Sequence, residues 1–205
     1  MNIKIYVEGG GSGKGGAALD VECREGFRKF FESAGLKDRM PRISASGSRN
    51  KTYKKFCGAL TVHKNEYPIL LVDSEGPVSS GMTPWQHLKS KDNWDKPENV
   101  TDKQAHLMVQ TMEAWIVIDR NNLINFFNGK FNPDVLPSLS RDIEKVPKTE
   151  LEDSLKKATK DTTKGKYNKG RHSFELLGTT DPELVKIASP FAKSLIKTLL
   201  EISSQ

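Results

Sequence analysis

Cysteine is scarce: the 205 residues hold two, Cys23 and Cys57. Two thiols cannot build a disulfide framework or fill a zinc site by themselves. Both fall on expected apolar helix faces, which suits small core side chains in a reducing compartment. Long apolar runs are missing as well, and no stretch approaches the roughly 18–20 residues that span a bilayer. The start, Met1-Asn2-Ile3-Lys4-Ile5-Tyr6-Val7-Glu8, alternates like a strand and lacks the apolar stretch of a secretory leader. A cytoplasmic protein is therefore expected. The apolar set is lean at 36% and charged residues make up 28%, a balance that suits a globular chain rather than a disordered one. No cluster of histidine and cysteine offers soft-metal ligands.

Charge is present in blocks. The net charge is +6. Residues 24–64 carry eleven Lys/Arg against three Asp/Glu, residues 65–144 carry seven against twelve, and residues 145–171 carry nine against four. A basic–acidic–basic layout suits an acidic, metal-binding centre flanked by surfaces that attract a polyanion.

Periodicity supplies the architecture. Ile3, Ile5 and Val7 mark a first strand, followed by the turn Gly9-Gly10-Gly11-Ser12-Gly13. A helix is expected over 17–34, an extended piece at 42–45, a helix over 51–62, and a strand at Ile69-Leu70-Leu71-Val72 that is apolar on both faces. The order βαβαβ with a doubly apolar strand predicts a mostly parallel sheet covered by helices. One domain is expected, with an α/β core over 1–130 and a helical, basic part over 131–205. Residues 76–101 read as a long ordered loop or lid whose Trp85 and Trp94 offer stacking surfaces for bases. The stretch from 105 fits either a fourth strand at 105–110 feeding a helix from Glu113 to Phe127, or one continuous helix. Thr149-Glu150-Leu151-Glu152 reads as a capping box, Asp181-Pro182 as a helix start, and Ser189-Pro190 as a restart.

One phosphate-binding motif fails. In Glu8-Gly9-Gly10-Gly11-Ser12-Gly13-Lys14-Gly15, the first glycine of a P-loop is Glu8 and the metal-holding hydroxyl is Gly15. Acids at strand ends carry more. Ligands of open α/β sheets bind outside the carboxyl ends of the strands. Glu8 ends the first strand, and Asp73 and Glu75 end the buried one. Two acids two apart in an extended chain point the same way and can share a cation. Glu113 would follow the fourth strand, with Asp119 one to two helical turns beyond. Oxygen donors of this kind favour Mg²⁺ or Mn²⁺.

Val7-Glu8-Gly9 and Leu71-Val72-Asp73-Ser74-Glu75 resemble the Toprim domain of topoisomerases, primases and overcoming-lysogenization-defect nucleases. Two further pieces are similar to a Toprim-like bacterial family named as a domain of unknown function, number 4276. They are Gln110-Thr111-Met112-Glu113-Ala114-Trp115, with Asp119 downstream, and Tyr167-Asn168-Lys169-Gly170-Arg171-His172. The pair here is Asp-x-Glu where the wider pattern has Asp-x-Asp, which lengthens one ligand arm but keeps a carboxylate.

The resemblance implies metal-dependent phosphodiester cleavage of DNA or RNA in a bacterial accessory or defence setting, often beside an ATPase partner. In that reading Asp73 and Glu75 hold the cation, and Glu8 shares it or acts as general base. Glu113 and Asp119 serve a second metal or orient water. Lys148, Lys169 and Arg171 contact phosphate, and His172 offers an acid near neutral pH. The contrasting expectation is a non-catalytic binding or regulatory subunit that keeps the acidic pocket and partners an ATPase. A topoisomerase is disfavoured, because its catalytic tyrosine arrives on a separate domain for which the chain has no room.

Overall fold

Strand β1 (Asn2–Val7) turns Ile3, Ile5 and Val7 to one face and Tyr6 to the other, the period of two that a strand imposes. In the computed structural model, which describes residues 2–11, 16–62 and 65–204, it is joined by β2 (Arg42–Ala45), β3 (Glu66–Asp73) and β4 (Ala105–Met108). The order is β2-β1-β3-β4, and every neighbouring pair is parallel. The chain leaves β1 toward β2 and returns to β3 on the other side of β1. That reversal opens a crevice at the carboxyl ends of β1 and β3.

Both faces are covered, as a parallel sheet requires. Helix α1 (Gly16–Phe31) packs Cys23, Phe27, Phe30 and Phe31 onto the face that carries Ile5, Val7, Ile69 and Leu71. Helix α2 (Arg49–Val62) and helix α3 (Pro84–Asp92) pack Phe56, Ala59, Trp85 and Leu88 onto the face of Tyr6, Leu70 and Val72. Further α-helices follow among the described residues: α4 (Glu113–Ile118), α5 (Arg120–Phe127), α6 (Lys148–Ala158), α7 (Lys169–Thr179), α8 (Pro182–Ala188) and α9 (Pro190–Ile202). Trp115, Leu155, Leu177 and Leu199 bring α4, α6, α7 and α9 into the core on the α1 side. Helix α7 crosses α1 so closely that a Cβ on Gly26 would stand 2.4 Å from the Phe174 carbonyl oxygen. This crossing places the start of α7 beside the ends of β1 and β3.

The sequence expectations meet the structure unevenly. The segment 76–101 is not a loop throughout, because Thr83 and Gln86 form a capping box and Pro84 opens α3. Trp85 and Trp94 are 4% and 8% exposed, so neither is a platform for bases. Trp94 stacks on Tyr53 with ring centroids 4.2 Å apart. The helix expected over 113–127 is broken at Asp119, which caps α5 by accepting from the Asn122 amide at 3.0 Å. The Thr149 capping box does not form: α6 starts at Lys148 after Pro147, with no side chain capping it. Asp181 and Ser189 do cap α8 and α9 as expected. Cys57 is half-buried rather than buried. Ser12-Gly13-Lys14-Gly15 of the failed P-loop lie outside the described residues.

Candidate metal centre

Glu8 follows β1 directly, and its amide donates to the Leu71 carbonyl at 2.9 Å. Gly9 then turns away with φ 141°, and its backbone pairs with Gly47 in both directions at 3.0 and 2.7 Å. A side chain at Gly9 would meet the Phe174 ring at 3.0 Å and the Cys23 sulfur at 3.1 Å. The glycine thus lets the Glu8 carboxylate face the crevice instead of being pushed off by the core.

Asp73 is the last residue of β3 and is 4% exposed. Its Oδ1 accepts from the Met112 amide at 2.9 Å, and the Asp73 amide donates to Glu8 Oε2 at 3.2 Å. Glu75 stands beyond the strand with φ 57°, so a left-handed turn aims its carboxylate, not the extended geometry that its spacing suggests. The Glu75 amide donates to the Gln110 carbonyl at 3.0 Å, and buried His87 holds the intervening Ser74 carbonyl through Nε2 at 2.8 Å. One carboxylate oxygen each from Glu8, Asp73 and Glu75 lie within 4.8 Å of one another. They open onto a cavity of about 160 Å³, lined also by Gly9, Gly47, Met112, Lys148, Lys169 and Phe174.

Three bases close on these acids. Lys148 Nζ stands 2.6 Å from Glu75 Oε1. Lys169 Nζ lies 3.5 Å from Asp73 and 3.1 Å from Glu113. Arg49 approaches Glu8 at 3.4 Å, donates to the Asp73 carbonyl, and grips Asp92 with bonds of 2.9 and 2.6 Å. Glu113 is fully buried at the start of α4 and accepts from Thr111 at 2.5 Å and from the Tyr167 hydroxyl at 3.0 Å. It is tied to Asp73 through Thr111 and Lys169 but does not line the cavity. The five carboxylates in this set face three cations, a formal charge of −2 that one divalent cation would balance. Oxygen donors without histidine or thiolate fit a hard divalent ion.

Burial, followed by repulsion from Asp73, pushes the Glu8 carboxyl up to about 7, although Arg49 opposes this. Burial raises Asp73 as well, against the pull of Lys169. Glu113 is also pushed up by burial, yet Lys169 and the Thr111 hydroxyl hold it below the usual carboxylate range. Burial and Glu113 keep Tyr167 a neutral donor.

Three sequence candidates stand elsewhere. Asp119 spends one oxygen on its helix cap and the other on the Asp181 amide at 2.9 Å, so it ties α5 to α8 and is no part of the centre. His172 is 3% exposed beside Phe126, Phe127 and Tyr167, and its Nδ1 accepts from the Asn168 amide at 3.2 Å. Burial lowers its basicity, so it is a packed neutral ring that does not line the cavity. Arg171 lines a separate groove with Glu22, Glu25 and Glu175.

Sequence reasoning missed Arg49, His87 and Thr111 in their present positions. Only Arg49 had a readable signal, a cation at the first helical turn after a strand end.

The family model described as a domain of unknown function, DUF4276, matches residues 16–200, a span that begins after Glu8. No curated protein and no solved structure matches the chain.

Proposed function

The chain belongs to the family of the domain of unknown function DUF4276, and we propose that it cleaves phosphodiester bonds of nucleic acid with the help of Mg²⁺ or Mn²⁺. The observation that carries this reading is the convergence of Glu8, Asp73 and Glu75 within 4.8 Å at the switch point of a parallel sheet. The likeness of Glu8-Gly9 and Asp73-Ser74-Glu75 to the Toprim pattern supports it. A bound divalent ion would neutralise phosphate oxygens and polarise a water. Asp73 and Glu75 would hold that ion. Glu8, with its carboxyl near 7, is suited to share it or to take a proton from the attacking water. Lys169 stands where it can meet a phosphate at the cavity wall. Glu113 and Tyr167 would position Lys169 and Asp73 from behind. Assays on single- and double-stranded DNA and RNA test this: cleavage is expected with Mn²⁺, none in chelator, and none with Asp73→Asn. Undiminished cleavage by Asp73→Asn would overturn the assignment.

One observation favours a second reading. Glu8, Asp73 and Glu75 each have a basic side chain within 3.5 Å, so each candidate ligand already faces a cation. A non-catalytic subunit that partners an ATPase could keep such a pocket for a phosphorylated ligand. Loss of biological function in Glu8→Gln with partner binding retained favours the enzyme. Normal function in that variant favours the binding subunit.

A further inference from the structure

The three bases of the centre are held in unlike ways. Arg49 is fixed by Asp92 and the Asp73 carbonyl, besides Glu8. Lys169 is anchored on Glu113, a fully buried carboxylate outside the cavity. Lys148 has Glu75 as its one ion-pair partner among the described residues. Both side chains of that pair are about 30% exposed (29% and 30%), so the pair opens directly to solvent.

We infer that Lys148 is a tethered competitor for the metal position at Glu75, and that the ion which displaces it frees its ammonium for a substrate phosphate. This rests on the metal-dependent reading above. The Lys148 ammonium stands 2.6 Å from Oε1 of Glu75, one of the three carboxylates of the cluster. A divalent cation and an ammonium on one carboxylate repel each other, and the repulsion moves whichever of the two is less firmly held. Glu75 cannot follow Lys148 outward, because its backbone is pinned to Gln110 in a left-handed turn. The lysine can move. Its backbone is held at the start of α6 by buried Leu151 and Leu155, while its flexible four-carbon stem lies at the cavity wall, 29% exposed. Arg49 and Lys169 keep second anchors when the ion enters, whereas Lys148 is left unpaired at the mouth, where a phosphate oxygen can accept it.

Two measurements on the whole chain test the exchange. Mn²⁺ affinity, read from the free-ion EPR signal, should tighten about fivefold in Lys148→Met and fall in Glu75→Gln. Affinity that is unchanged or weaker in Lys148→Met overturns the role of Lys148, even where Glu75→Gln shows the site to be real. Unchanged affinity in Glu75→Gln refutes the metal reading itself, and the exchange with it. Binding of an oligothymidylate supplies the second readout. Lys148→Met should match the wild type in chelator and bind about threefold more weakly than it in Ca²⁺, a loss of the size of one partly exposed charge contact. An equal loss under both conditions means that the lysine was never committed to Glu75, and overturns the exchange.

Discussion

Glu8 shows how a single carboxyl can report the state of the whole centre. Its ordinary value of 4.5 is raised to about 7 by burial and then by Asp73. A carboxyl raised in the fold binds more protons folded than unfolded between those two values, so metal-free stability should fall as pH rises through that window. The full effect is about 3 kcal/mol or less. Glu8→Gln should flatten that part of the slope and be the more stable protein at pH 8; urea melts from pH 5 to 8 read it, and an unchanged slope would refute the assigned burial. Gly9 sets the geometry that creates this strain. Gly9→Ala should cost roughly 2–4 kcal/mol, from the positive φ and from the contacts with Phe174 and Cys23. Thermal melts check it, and a change within 0.5 kcal/mol would contradict the packing described.

At the scale of elements, three helices break a local rule in the same place. Arg49, Lys148 and Lys169 are the first residues of α2, α6 and α7. Cations are disfavoured at helix amino ends by the helix dipole. All three point at the acidic centre, which explains why the penalty is tolerated there. Asp119 follows the rule in the ordinary way, as an acid capping α5 and holding the Asp181 amide. Asp119→Ala should therefore lower stability by about 1–2 kcal/mol while Mn²⁺ affinity stays as in the wild type. A loss of Mn²⁺ affinity with unchanged stability would return Asp119 to the ligand set.

For the whole molecule, the expected response to metal is thermodynamic. An ion at 100 times its Kd adds about 2.7 kcal/mol to a folded state that alone binds it. For a chain of this size that is roughly 5–10 °C in Tm. Mg²⁺ or Mn²⁺ should raise the wild-type Tm by this amount, and Asp73→Asn should remove the rise; equal rises in both proteins would place the ion elsewhere. Nucleic-acid affinity should fall steeply with salt through counterion release. Arg171 stands among three glutamates in its own groove, so Arg171→Ala should leave that salt slope unchanged, while Lys169→Ala lowers it.

What the sequence determined by itself is the class of fold and the core of the site. Alternation in β1, the doubly apolar Ile69–Val72 run and the intervening helical patterns specify a covered parallel sheet, because hydrophobic periods of 2 and 3.6 are local properties of the chain. Once the strands are parallel, Glu8 and Asp73 must end on one edge. Local chemistry also announced the caps at Asp181 and Ser189, and would have announced α3 through Thr83-Pro84-Trp85-Gln86 had the prolines not suggested a loop. Only the tertiary structure decided which charges meet. Arg49 reaches Glu8 across 41 residues, Lys148 reaches Glu75 across 73, and Lys169 reaches Glu113 across 56. No local pattern encodes those pairs, because they depend on how α2, α6 and α7 pack their first residues against the strand ends. The same packing buries His172 among aromatic rings and gives both oxygens of Asp119 to backbone amides. A side chain's charge and spacing are written in the sequence, but its solvent and its partners are set by the neighbours that folding brings to it.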